Sequence, residues 1–187
     1  MSSASSPHTR RLPGDPLPSQ TPLARMLRVN HAGEYGAKRI YAGQIAVLGD
    51  HPLAAELRHM EAQEQVHLDT FRRILPEQRV RPTALLPFWH FAGYALGAAT
   101  ALMGERAAMA CTVAVESVIT EHYDSQIAQP DITGPELQKT LQQFRDEEME
   151  HHDTGLAHDA EGAPFYQALT AIIRTGCRAA IWASARV

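Results

Sequence analysis

Two stretches decide the fold: Glu64-Gln65-Val66-His67-Leu68-Asp69-Thr70 and Glu148-Met149-Glu150-His151-His152-Asp153-Thr154. Both read Glu-x-x-His-x-Asp-Thr. On a helix, residues three apart share a face, so each pair can present a carboxylate and an imidazole to one point. A third such spacing, Glu56/His59, has no echo and is turned about 80° from Glu64 on the same helix. Upstream of each repeated pair lies a second repeat. Glu34 is followed by Tyr41, Gln44, Ile45 and Ala46, and Glu116 is followed at the same offsets by Tyr123, Gln126, Ile127 and Ala128. The chain therefore holds two copies of a helix pair, each giving one lone Glu and one Glu-x-x-His.

The surrounding sequence supports helices throughout. From Thr21 onward β-branched alternation is scarce, and Ala, Leu, Glu, Gln and Arg dominate. Thr21-Pro22 has the form of an N-cap followed by Pro at the first helical position. That helix is predicted to run to about Leu48, with Gly49-Asp50 ending it and Pro52 opening a second to about Leu75. A third apolar stretch ends at Gly104. Further helices are predicted over about 105–128, from Gly134-Pro135 to about Asp159, and from the Gly162-Ala163-Pro164 break to about Ser184. The expectation is a single all-α domain of roughly six helices over residues 21–187. Residues 1–20, rich in Ser and Pro, are expected to form a flexible tail.

Composition narrows the function. The 187 residues are 44% hydrophobic and 20% charged, which excludes disordered and collagen-like chains. A net charge of −4 argues against a general nucleic-acid partner. Cys111 and Cys177 lie too far apart for a Cys-x-x-Cys motif, so any metal must be held by nitrogen and oxygen.

Two lone Glu and two Glu-x-x-His on four helices form the ligand set of a dinuclear carboxylate centre in a ferritin-like four-helix bundle. The predicted metal ligands are Glu34, Glu64, His67, Glu116, Glu148 and His151. The alternative for any isolated Glu is a solvated helix face. Glu116 resists it, because Ala107 to Ile119 is the most apolar helix of the set and an unpaired buried carboxylate is costly. Glu34 lies between Gly33 and Gly36, which suggests close packing or room for a ligand. Tyr41 and Tyr123, two turns after their Glu, are candidates to support the site from behind the ligands. Asp69 and Asp153 point away from their own His, and His152 faces elsewhere.

Two segments suit a lipid surface. Residues 83–104 carry no charged side chain and include Trp89, Tyr94, Pro87 and His90, as in an interfacial or partly inserted helix. Residues 164–184 form a basic amphipathic helix, with Phe165, Leu169, Ile172, Ile173 and Cys177 on one side and Gln167, Arg174 and Arg178 on the other. The alternative for each is burial against the bundle. Peripheral membrane binding is expected from the pair.

Blocks at residues 25–37, 39–44, 108–116 and 144–161 resemble demethoxyubiquinone hydroxylases of the Coq7 type. The resemblance covers about Pro22 to Val187, and all six metal positions match. Where some members carry a second Glu directly after the position of Glu116, this chain has Ser117. The resemblance implies a non-haem di-iron monooxygenase of ubiquinone biosynthesis. It implies two iron ions, O2 as co-substrate, and 2-polyprenyl-3-methyl-6-methoxy-1,4-benzoquinol as the substrate hydroxylated. No Gly-rich dinucleotide loop is present, so NADH would act at the bundle surface or through a separate reductase. A ferritin-like ferroxidase is the alternative function; a rubrerythrin-like enzyme is disfavoured by the missing Cys-x-x-Cys. A homo-oligomer and an accessory lipid-binding protein are further partners to consider. The expected location is the cytoplasmic face of a bacterial inner membrane, with the matrix face of the mitochondrial inner membrane as the alternative.

Overall fold

The computed structural model describes residues 21–187; the predicted tail lies outside the described residues. Six α-helices follow in order: α1 Pro22–Leu48, α2 Leu53–Glu77, α3 Leu86–Leu102, α4 Glu105–Ile127, α5 Pro130–Ala157 and α6 Tyr166–Ser184, with a 3-10 turn at Ala160–Gly162. No strand occurs among the described residues. The all-α expectation holds. Helices α1, α2, α4 and α5 form a ferritin-like four-helix bundle, and α3 and α6 pack on its outside.

Local chemistry sets the boundaries. Thr21 accepts from the Ala24 amide at 3.2 Å, and Pro22 occupies a first-turn position where its missing N–H costs nothing. Gly49 closes α1 with φ 56°, a conformation that favours glycine. Helix α2 passes the predicted stop and ends at Glu77. A proline this close to the C-terminus removes one backbone donor from the last turn only. Gly134, at φ 70°, interrupts α5 where the sequence placed a helix start, so the long helix follows a short N-terminal turn.

A cluster of Ile40, Cys111, Ala114 and Val115 joins the bundle to Ile173 of α6, and two further apolar clusters fill the bundle itself. One gathers Leu53, Leu57, Met60, Met109 and Val113 around Tyr41; the other gathers Leu27, Phe71, Leu75, Leu141 and Phe144 around Tyr123. Helix α3 lies against α1 through glycines. A methyl on Gly97 would overlap the Ile40 carbonyl, and one on Gly93 would sit 2.9 Å from the Gly36 carbonyl oxygen. The small-residue face lets two backbones meet. The opposite face of α3 is left outward, so the buried-helix alternative for residues 83–104 does not describe it: only Gly97, Thr100 and Ala101 of α3 are buried.

Candidate metal centre

Each bundle helix delivers its predicted residue inward. Glu34 comes from α1, Glu64 and His67 from α2, Glu116 from α4, and Glu148 and His151 from α5. All six are buried, none more than 2% exposed. They divide into two sets: Glu34, Glu64, His67 and Glu148, then Glu64, Glu116, Glu148 and His151, each with ligand atoms within 4.8 Å of one another. Glu64 and Glu148 belong to both. Glu148 spans the two histidines, with Oε1 3.1 Å from His67 Nδ1 and Oε2 3.2 Å from His151 Nδ1. Glu56 and His59 are exposed, as expected of a chance spacing.

The electrostatics of this cluster call for cations. Burial, then the Glu148, Glu34 and Glu116 carboxylates, push Glu64 well above the usual carboxylate range. Burial and then Glu148 do the same to Glu116. Burial works against an ionised Glu148, but the two imidazoles outweigh it and hold that group low. His67 is likewise opposed by burial, and hydrogen bonding to Glu148 and Glu34 carries it up to about 12. Both oxygens of Glu64, Oε2 of Glu116, Oε2 of Glu148 and Nδ1 of His151 are buried without a hydrogen-bond partner. Such orphans are rare in folded proteins. Two cations at the two sets would take up these lone pairs, so the residues fit a dinuclear centre. Six carboxylate and imidazole ligands suit iron or manganese.

The groups behind the ligands cross between the copies. Tyr41 of α1 donates to Glu116 Oε1 of α4 at 2.6 Å, and Tyr123 of α4 donates to Glu34 Oε1 of α1. Each tyrosine thus holds the carboxylate of the other copy. The repeated glutamines cross as well: Gln126 exchanges two hydrogen bonds with Asn30, at 2.6 and 2.8 Å, and Gln44 donates to the Ala108 carbonyl at 2.9 Å. Two residues that sequence reasoning missed contact the outward nitrogens of the histidines. Glu147 Oε2 lies 2.5 Å from His67 Nε2, and Gln63 Oε1 lies 3.0 Å from His151 Nε2. Their signal was position: each immediately precedes a predicted ligand Glu. Asp69 pairs with Arg72 and Asp153 with His152, both away from the centre.

An apolar cavity of about 340 Å³ opens beside the ligand-bearing helices. It is lined by Gly33 and Gly36 of α1, Val115 of α4, Trp89 of α3, and Ile173 and Cys177 of α6, among others. Glu34 and Glu116 immediately adjoin Gly33 and Val115 in the chain. Beyond their own helical turn, no atom lies within 4 Å of a methyl built on Gly33 or Gly36, so these glycines make room rather than close packing. On the outside, Phe88, Phe91 and Leu102 of α3 and Ile172 and Trp182 of α6 are exposed, Phe91 at 73%. The two sides of α6 differ from the sequence assignment. Ile173 is buried while Ile172 faces out, and Arg174 and Arg178 engage Ser117 and Glu121 of α4 at 3.1 and 3.0 Å. None of the described helices is long and apolar enough to cross a membrane.

A four-helix bundle whose core converges two overlapping carboxylate–imidazole sets has the architecture of the ferritin-like dinuclear carboxylate proteins. Within that class the chain belongs to the family described as ubiquinone biosynthesis protein COQ7, whose profile matches residues 21–184. It is 55% identical to the NADPH-dependent 3-demethoxyubiquinone 3-hydroxylase, mitochondrial, of Mus musculus, over 87% of this chain and 76% of the relative. It is 51% identical to the human protein of the same name, over 90% and 80%. It is also 51% identical to the 3-demethoxyubiquinol 3-hydroxylase of Rhodospirillum rubrum, over 95% and 84%. These names describe hydroxylases; they lend nothing to the ferroxidase alternative.

Proposed function

We propose that this chain is an O2-dependent di-iron monooxygenase that hydroxylates 2-polyprenyl-3-methyl-6-methoxy-1,4-benzoquinol, the 3-demethoxyubiquinol 3-hydroxylase step of ubiquinone biosynthesis. The observation that carries this reading is the juxtaposition of two ligand sets sharing Glu64 and Glu148 with an apolar cavity lined by Gly33 and Val115. Glu34 and His67 would hold one iron, Glu116 and His151 the other, and Glu64 and Glu148 would span both. When bound, the iron pair supplies O2 activation. One oxygen atom enters the ring and the other leaves as water, with two electrons and two protons from the reductant.

The protein's own residues provide the rest. Tyr41 and Tyr123 fix the orientation of the two terminal carboxylates. The walls of the cavity take the quinol ring and exclude water from it. The relatives' names point to NADPH as reductant, where the sequence reading gave NADH or a separate reductase.

The exposed aromatic and aliphatic residues of α3 and α6 flank this cavity, so we assign them to peripheral docking on an inner membrane. That arrangement lets a lipid-dissolved quinol enter without a spanning helix. The name of the mouse relative places that protein in mitochondria; for this chain we assign the cytoplasmic face of a bacterial inner membrane, with the matrix face of the mitochondrial inner membrane as the alternative. A homo-oligomer or an accessory lipid-binding protein would share the same outer face. Flotation with anionic liposomes tests the docking: protein that stays at the bottom of the gradient overturns it. Quinone mass spectrometry in a strain lacking its own hydroxylase tests the activity. The wild-type chain restores ubiquinone, whereas Glu116→Ala and His151→Ala accumulate the demethoxy quinone. Equal ubiquinone from all three overturns the site.

A further inference from the structure

The two metal positions are built by a repeat, and one departure from it falls on the outer nitrogens of the two ligand histidines. Glu34 corresponds to Glu116, Tyr123 to Tyr41, Glu64 to Glu148 and His67 to His151. Both imidazoles turn Nδ1 inward to the carboxylates and Nε2 outward. The outward partner comes each time from the opposing helix, one residue before its ligand Glu. For His67 that partner is the Glu147 carboxylate on α5; for His151 it is the Gln63 amide on α2. Glu147 and Gln63 are repeat-equivalent positions carrying different chemistry. Glu147 is further fixed by Gln143, whose Nε2 donates to its other oxygen at 2.9 Å.

A carboxylate accepting from the outer ring N–H makes the inner nitrogen a stronger donor to a metal and locks the tautomer; an amide oxygen does this less. The terminal carboxylates do not offset the difference, because each has one tyrosine donor. We propose that Glu147 and Gln63 are positioning residues that make the two metal positions inequivalent. The set Glu34, Glu64, His67 and Glu148 fills first and holds its ion more tightly than the set containing Glu116 and His151. The inference rests on the metal-centre reading given above and extends it.

The test is an anaerobic titration of the metal-free full chain with Co(II), followed by visible absorption, with no activity readout. Wild type is expected to fill in two resolved steps about tenfold or more apart, the range for loss of such an outer partner. Glu147→Gln keeps the hydrogen bond but not the charge; it should weaken the first step about tenfold and merge the two. Gln63→Glu should strengthen the second step and also merge them. The double exchange, Gln63→Glu with Glu147→Gln, should restore two steps. Glu150→Gln, which removes an exposed charge from the same helix, should leave the wild-type isotherm in place. A single step in wild type, two steps untouched by Glu147→Gln, or an equal effect from Glu150→Gln each overturns the proposal. Failure to take up any metal would overturn the metal centre itself, a result distinct from two equal sites.

Discussion

Tyr41 donates its hydroxyl proton to Glu116, 2.6 Å away on another helix, and not to Glu34, the carboxylate two turns earlier on its own. Tyr123 repays the contact by holding Glu34. The two helices that carry the lone carboxylates are therefore tied at the centre by a reciprocal pair of tyrosines. Burial holds Glu116 above the usual carboxylate range, so the magnitude for an uncharged acceptor applies, about 0.5–1.5 kcal/mol. A double-mutant cycle in urea should accordingly show Tyr41→Phe coupled to Glu116→Gln by about 1 kcal/mol, and uncoupled from Glu34→Gln. Coupling to Glu34 instead would contradict the crossed arrangement.

Metal uptake should release protons. Without metal, Glu64 and Glu116 are held above the usual carboxylate range by burial and by neighbouring carboxylates, and His67 is held up to about 12 against burial by its bonds to Glu148 and Glu34. Metal ligation needs all of them deprotonated. Calorimetry of Fe(II) binding in buffers of different ionisation enthalpy should therefore give a positive proton release, and apparent affinity should rise with pH. Filling the centre should also raise the unfolding temperature, because ions bound only to the folded state stabilise it. An affinity that falls with pH would be the opposite sign.

Much of this centre was legible in the sequence because helical ligand geometry is local. The three-residue spacing in Glu64/His67 and Glu148/His151 is fixed by the helix itself, and the repeated downstream residues tied Glu34 to Glu116. What could not be read is which copy each supporting group serves. Tyr41 shares a face with Glu34, and only the packing of α1 on α4 brings it to Glu116. Glu147 was hidden in the acidic run Asp146-Glu147-Glu148-Met149-Glu150, where composition does not tell an inward carboxylate from a solvated one. Arg174 suited an outward basic face until packing brought it to Ser117, whereas Arg178 stays exposed and pairs with Glu121 at the surface.

Two histidines outside the ligand set make the fold sensitive to acid. His31 is lowered to about 4 by burial and by Arg72, and His122 to about 4 by burial. A folded-state value below the unfolded one, near 6.5, means that the unfolded chain binds the proton more readily. The stability from these residues is full above pH 6.5 and is lost as pH falls toward 4. Glu64 and Glu116 run the other way in metal-free protein, so the comparison must be between variants. His31→Gln should flatten the loss between pH 6.5 and 4 by about 1–3 kcal/mol relative to wild type, solvent screening setting the lower figure. Parallel curves for the two proteins would remove His31 from the account.

The glycines of α1 and α3 should separate fold from cavity. Gly97 meets the Ile40 carbonyl so closely that Gly97→Ala must push α3 off α1, an overpacking cost of about 1–3 kcal/mol. Gly36 is also helical, but a methyl there meets nothing within 4 Å beyond its own helical turn and projects beside the apolar cavity. Replacing a helical Gly by Ala gains about 1 kcal/mol. Gly36→Ala should therefore raise the unfolding midpoint in urea while a bulkier Gly36→Leu raises KM for a short-chain quinol by occupying its space. Gly97→Ala should lower the midpoint. Gly36→Leu with an unchanged KM would place the quinol somewhere other than this cavity, since no substrate can share the volume that side chain fills.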